Sequence, residues 1–308
     1  MNSLKHESPP VLARTALWLC TMIWGGAFIF QKIAMPFIAP LLFNALRSLL
    51  GALFLWLFIS LGRYYTKKSN TPSPTAAEIK TGAILGAIMF IALGLQQIGL
   101  VESTVSKACL ITGLYVIFVP FVMRIFSPVH IVPWQFGVFA LGVLGVFLLT
   151  TSANSLSIGA GDVWLFASVP FWAIQICYIG LYSRRGRALQ IALVQLIMCS
   201  VLSAVASFLA AESWTWGSIQ STMPSLLYLG ALSSGIAFTL LIYGQERVNP
   251  SVAVLILSCE ALFGAWLGWY YLDEILSLRN LMGAVLIVLA ILLVEFTNYL
   301  QQLARPSS

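Results

Sequence analysis

The sequence predicts an all-α polytopic membrane protein, with ten transmembrane helices arranged as two inverted five-helix repeats. Three observations lead there. Of 308 residues, 60% are hydrophobic and 8% charged, with a mean hydropathy of +0.94, whereas ordinary globular domains carry about a quarter charged residues. Apolar stretches long enough to cross about 30 Å of hydrocarbon as a helix recur along the whole chain. The chain also matches itself at a shift of about half its length.

Spans are predicted at 12–31, 38–61, 79–100, 104–125, 134–152, 161–183, 188–211, 224–245, 250–271 and 280–298. The breaks between them hold turn residues and charges: Pro36 and Pro40, the polar run Lys67 to Pro74, Ser127 to Pro133, Ser152 to Ser157, Arg184 to Arg187, and Asn249 with Pro250. The first span lacks a small-residue cleavage site, so it reads as a retained helix and not a removable signal peptide.

An even number of spans puts both termini on one side. Of the sixteen Lys and Arg residues, twelve fall on that side: Lys5, Arg14, Arg63, Lys67, Lys68, Lys80, Arg124, Arg184, Arg185, Arg187, Arg247 and Arg305. Lys32, Lys107 and Arg279 fall on the other, and Arg47 lies inside a span. Positive charge is retained in the cytoplasm, so the termini are expected there. The net charge of +6 sits in these short connections and not on a basic surface fit for nucleic acid. Cys20, Cys109, Cys177, Cys199 and Cys259 all fall in apolar segments, where they read as small buried hydrophobes and not as disulfides.

A shift of 148 residues aligns Trp24 with Trp172, Gly82 with Gly230, Phe90 with Phe238, Gln97 with Gln245 and Ser103 with Ser251, and brings Arg47 onto Gln195. Past residue 126 the shift becomes 146, which aligns Gly137 with Gly283. The repeats are therefore placed at 12–152 and 161–298. Five spans per repeat is an odd number, so the second repeat must sit inverted in the membrane, an arrangement suited to alternating access.

Several segments resemble the drug/metabolite transporter superfamily, specifically its EamA-type ten-helix transporters. They are Trp24-Gly25-Gly26 through Phe28 and Gln31, then Asn44 to Arg47, then KACLITGLYVIFVP from Lys107 to Pro120, then Ser258-Cys259-Glu260, and Asp273-Glu274 with Gly283. The resemblance covers about Leu12 to Phe296. It implies a proton-coupled or facilitative carrier in a bacterial inner membrane, often an exporter of amino acids or related metabolites. Two positions depart from the family pattern: Ala261 where proline commonly follows the glutamate, and Ser127-Pro128 where a Gly-Glu pair is frequent.

Two charges stand deep in spans. Arg47 lies seven residues after Pro40, about 10 Å into its helix. It is either an anion-attracting group facing an aqueous cavity or a structural arginine that snorkels or braces a neighbour. Glu260 lies nine residues after Ser251, about 14 Å in and near the midplane. It could bind a proton or a substrate ammonium group, or be a glutamate kept neutral or locked to Arg47 for packing.

Gln97 and Gln245, equivalent under the repeat, would lie toward opposite faces as polar gate groups or as helix-end caps. Trp24 and Trp172 could pack across a central pathway and stack on substrate, or serve only as packing. Gly82 with Gly86 and Gly264 with Gly268 fit close helix approach. Lys32, Lys107 and Arg279 read as interfacial residues reaching headgroups.

No phosphate-binding G-x-x-x-x-G-K-[ST] loop occurs, which excludes a self-contained ATP-driven pump. His6 and His130 show no metal-ligand spacing, so neither metal nor cofactor is expected. The expected partners are a small-molecule substrate, membrane lipid and protons as coupling ion. Two rival classes, an integral-membrane enzyme acting on a lipid-like substrate and a non-transporting scaffold, fit the pair of isolated deep charges less well.

Overall fold

The computed structural model describes residues 10–66, 74–126, 133–151, 158–183, 187–248 and 250–303. Of the predicted polar connections, Lys67 to Ser73 of the run Lys67 to Pro74, Ser127 to Val132, Ser152 to Ser157, Arg184 to Gly186 and Asn249 lie outside the described residues, as do both histidines. The helices, in chain order, are α1 Pro10–Ala34, α2 Pro40–Thr66, α3 Ala76–Glu102, α4 Val105–Phe126, α5 Pro133–Thr150, α6 Ala160–Tyr182, α7 Ala188–Leu209, α8 Met223–Gln245, α9 Pro250–Leu272 and α10 Leu278–Leu303. A short helix, Trp216–Ser221, lies between α7 and α8. The predicted spans fall on these helices. Eight of them, α1 to α8, are long and apolar enough to cross a membrane; α9 runs for 23 residues, and α10 carries the apolar stretch Leu278–Leu293.

Helix pairing follows the inverted repeat. The equivalent helices α2 and α7 pack on each other, as do α5 and α10. The remaining contacts come in exchanged pairs: α1 packs on α8 and α9 as α6 packs on α3 and α4, and α2 packs on α8 as α7 packs on α3. A twofold relation between the two halves produces this exchange. Because each half completes the other's packing, one apolar core runs from Leu17 through Leu110 and Leu165 to Ile291.

In lipid, helices associate through close packing and not by the hydrophobic effect, so small residues mark the contacts. A Cβ at Gly99 on α3 would sit 2.6 Å from the Gly161 carbonyl on α6, and one at Gly161 would sit 2.6 Å from the Gly99 carbonyl. Gly82 and Gly86 likewise bring α3 against α7, and Gly264 and Gly268 bring α9 against α4.

Two helices are irregular where they matter. In α4 the regular ladder breaks at Leu114, with Pro120 further on. In α8 residues Tyr228–Ala237 form a wide π-helical segment. Such segments widen the turn and often occur at functional sites.

Side chains close the helix ends, some local and some from elsewhere in the chain. Thr75 and Glu78 form a capping box at the start of α3, and Glu78 also pairs with Arg187 Nε at 2.9 Å. The Glu212 carboxylate accepts from the backbone N–H groups of Leu41 and Leu42 at 3.1 and 2.7 Å, satisfying the start of α2.

The interfacial reading of three basic residues changes. Lys32 donates to three backbone carbonyls, Lys107 pairs with Asp162 at 3.1 Å, and Arg279 Nη2 donates to Thr151 Oγ1 at 2.9 Å. A fixed carbonyl or carboxylate within reach of the flexible stem holds the charge on the protein. None of the five cysteines is in a disulfide; four are buried and Cys259 is half-buried.

Candidate functional site

Seven helices from both halves surround a central cavity of about 40 Å³. On α1, residues Trp24, Phe28 and Gln31 recur at helical spacing and present one face to it. Arg47 comes from α2, Gln96 from α3, Thr112 and Tyr115 from α4 near its break, Trp172 from α6, Ser233 and Phe238 from α8, and Glu260 from α9.

The two tryptophans tie the wall together. Trp24 Nε1 donates to the Ser233 carbonyl at 3.1 Å, and its ring meets Phe238 edge-on with centroids 4.9 Å apart. That carbonyl belongs to the π-helical segment of α8. Trp172 Nε1 donates to Gln96 Oε1 at 2.8 Å, and Gln96 Nε2 donates to Gln31 Oε1 at 3.4 Å. The chain Trp172, Gln96, Gln31 thus crosses from α6 through α3 to α1.

Arg47 is held where α2 crosses α8, its own carbonyl only 3.2 Å from where a Cβ at Gly230 would sit. Its side chain is 2% exposed, and its Nε and Nη1 have no hydrogen-bond partner. Glu260, half-buried on α9, lines the same cavity. Among the described residues the two form no salt bridge with each other or with any third group. The locked Arg47–Glu260 pair that the sequence allowed is therefore not formed; the cavity stands between their helices.

An isolated charge at this depth costs at least a few kcal/mol. One cavity with an unpartnered guanidinium, a separate carboxylate and several neutral polar groups can neutralise a ligand bearing both signs. Its aromatic and aliphatic walls can contact the ligand's apolar part.

The remaining candidates lie elsewhere. Gln97 is fully buried one residue beyond Gln96, its Nε2 donates to Met35 Sδ at 3.0 Å, and its Oε1 has no partner. Gln245, half-buried at the end of α8, does not line the cavity. Gln195, the repeat mate of Arg47, is buried on α7 with Nε2 donating to Met89 Sδ at 3.1 Å and also stands outside the lining. Among the described residues no group of three or more His, Cys, Asp or Glu is arranged to hold a metal ion. Thr112, Tyr115 and Ser233 join the site although sequence reasoning did not single them out. Thr112 and Tyr115 lie within the Lys107–Pro120 segment that carries the family resemblance, whereas Ser233 showed only as a polar side chain within an apolar run.

A polytopic helical protein with inverted halves around one central polar cavity belongs structurally to the class of membrane carriers. The EamA-like transporter family model matches twice, over residues 13–151 and 159–296, and the chain belongs to that family. It is 26% identical over 291 residues to the uncharacterized transporter YoaV of Bacillus subtilis, covering 90% of this chain and 94% of that protein. An uncharacterized transporter of Archaeoglobus fulgidus is 27% identical over 285 residues, covering 92% of this chain and 85% of its own length. A solved structure described as the crystal structure of a protein superposes with a TM-score of 0.64 at 17% identity, covering 95% of this chain and 99% of that one. That likeness concerns the fold. Family and relatives point to transport of a small molecule across a membrane, and away from catalysis.

Proposed function

We propose that this chain is a secondary carrier, not driven by ATP, that moves a small zwitterionic metabolite across the bacterial inner membrane by alternating access. Export of an amino acid or a related metabolite is the specific reading. One observation carries it: Arg47 and Glu260 line a single cavity without pairing with each other. A substrate carboxylate matches the planar fork of the guanidinium, and a substrate ammonium matches the Glu260 carboxylate. Trp24, Phe28, Trp172, Ile176 and Phe238 offer the apolar remainder a wall. Both deep charges are neutralised only when substrate is present, which favours the occluded, loaded state.

Glu260 is also the proposed proton-coupling residue, since a carboxylate in an enclosed site can alternate between protonated and ionised forms as the cavity opens. The test is a metabolite-wide comparison of uptake and efflux between a deletion strain and an overexpressing strain. The expected result is one amino acid or close relative that accumulates inside the deletion strain and outside the overexpressing one. Accumulation of lipid-like products, with no change in zwitterions, would overturn the proposal.

A further inference from the structure

We infer that Lys32, Lys107, Asp162 and Glu274 form a latch that closes the Lys32 end of the pathway, and that the transport cycle opens it. This rests on the carrier reading. The four side chains come from α1, α4, α6 and the α9–α10 connection, yet all converge on the short turn between α3 and α4. Lys32 Nζ donates to the carbonyls of Leu100, Val101 and Ser103 at 2.9, 3.0 and 2.7 Å, groups left without partners where α3 ends. The Glu274 carboxylate accepts from the N–H groups of Val105 and Ser106 at 2.7 and 2.8 Å, where α4 begins. Asp162 accepts from Ser103 Oγ at 2.5 Å and pairs with Lys107 Nζ at 3.1 Å.

Positive charge thus meets the carbonyl end of one helix and negative charge the N–H end of the next, the favourable sense for both. Asp273, in the left-handed region at φ 50°, turns the chain after α9 just before Glu274.

The latch stands directly over the cavity. Gln96 lines the cavity, and Leu100, whose carbonyl Lys32 holds, is one turn further along α3, about 6 Å away. Gln31, also in the lining, precedes Lys32 on α1. Between latch and cavity α3 and α6 touch at Gly99 and Gly161. The opposite end differs. There the ends of α1, α2, α7 and α8 leave an apolar groove of about 570 Å³ lined by Leu12, Leu19, Phe58, Leu240 and Tyr243, with the Glu246–Arg247 pair at its rim.

The latch bonds suit a gate because every group in them can take water instead when the turn swings away, at modest net cost. Lys32, Lys107, Asp162 and Glu274 are positioning residues: they set which end is shut and do not contact substrate.

The test places Gln31→Cys in a chain whose five cysteines are replaced, and measures labelling by a membrane-impermeant maleimide from each face of sealed vesicles. Asp162→Asn combined with Glu274→Gln should raise the labelling rate from the Lys32 face about tenfold, the scale of losing one charge-assisted bond, and lower it from the opposite face. The exchange Lys107→Asp with Asp162→Lys should restore protection. If Asp162→Asn fails to insert, Lys107→Gln breaks the same pair and takes its place. Unchanged labelling from the Lys32 face in the neutralised chain would overturn the latch while leaving the carrier reading intact. So would an exchanged chain as open as the neutralised one. Labelling from neither face in any variant would overturn the carrier reading and the latch together.

Discussion

Trp24 and Trp172, equivalent residues of the two halves, each hydrogen-bond across to the third helix of the other half: Trp24 to the Ser233 carbonyl on α8, Trp172 to Gln96 on α3. The bonds are related by the inverted repeat in helix pairing but not in detail, because one acceptor is a backbone carbonyl in a π-helical segment and the other an amide side chain. Such inequality between inverted halves distinguishes the two faces of a carrier in one conformation.

Removing the indole donor separates the two roles. Trp172→Phe keeps the aromatic wall but leaves Gln96 Oε1 unpaired in the cavity, so transport should fall several-fold. Trp172→Phe with Gln96→Leu and Gln31→Met, which removes all three members of the hydrogen-bonded chain, should be less impaired than Trp172→Phe alone, since an orphaned polar group costs about 1–3 kcal/mol. Initial transport rates in vesicles measure this, and a triple variant that is worse than the single would contradict it.

Topology follows from the twelve-to-three division of basic residues between the two sides. Single cysteines at Ser69 and Gly186 in a cysteine-free background should resist a membrane-impermeant thiol reagent in intact cells, and one at Ser155 should react. These positions lie outside the described residues, in predicted connections. Reversed labelling would invert the orientation.

Gly99 should tolerate no side chain. Gly99→Val places its Cβ against the Gly161 carbonyl and the Leu165 side chain, so α3 and α6 must separate. The expected loss is about 1–3 kcal/mol, typical of overpacking a well-filled contact. Thermal unfolding in detergent should show a lowered midpoint, and an unchanged midpoint would mean that the helices separate freely there.

Glu260→Gln fixes the residue in an uncharged form. Net transport driven by a pH gradient should be lost in reconstituted vesicles, while exchange of substrate across the membrane should survive at a raised substrate concentration, because it need not release the proton. Gradient-driven flux equal to that of the parent protein would remove Glu260 from the coupling role.

The fold was legible because crossing hydrocarbon demands long apolar helices and leaves charges only in connections. Arg47 and Glu260 were legible for the same reason, as exceptions inside spans. Which face of each helix meets the cavity was not. A helix apolar all round has little periodicity to read, and one residue is a rotation of about 100°. The repeat match drew attention to Gln97, whereas Gln96 lines the cavity. The contacts of Lys32 and Lys107 were hidden for a different reason: their partners lie 55 to 71 residues away along the chain. Sequence position near a helix end suggested headgroups in their place.

The two-anchor site itself is tested most directly by ligand-induced stabilisation of the purified protein. The probes are the twenty common amino acids, with the N-acetyl and carboxamide derivatives of any that raise the unfolding midpoint. In the parent protein at least one free amino acid should stabilise, and both of its derivatives should lose most of that effect. Arg47→Ala should abolish binding of the zwitterion, a loss of about a hundredfold or more from removing a charge-assisted bidentate contact, with Arg47→Lys recovering only part. Glu260→Gln should weaken the free amino acid while treating its N-acetyl derivative as the parent does. Equal stabilisation of the parent and Arg47→Ala by the same amino acid would contradict the account.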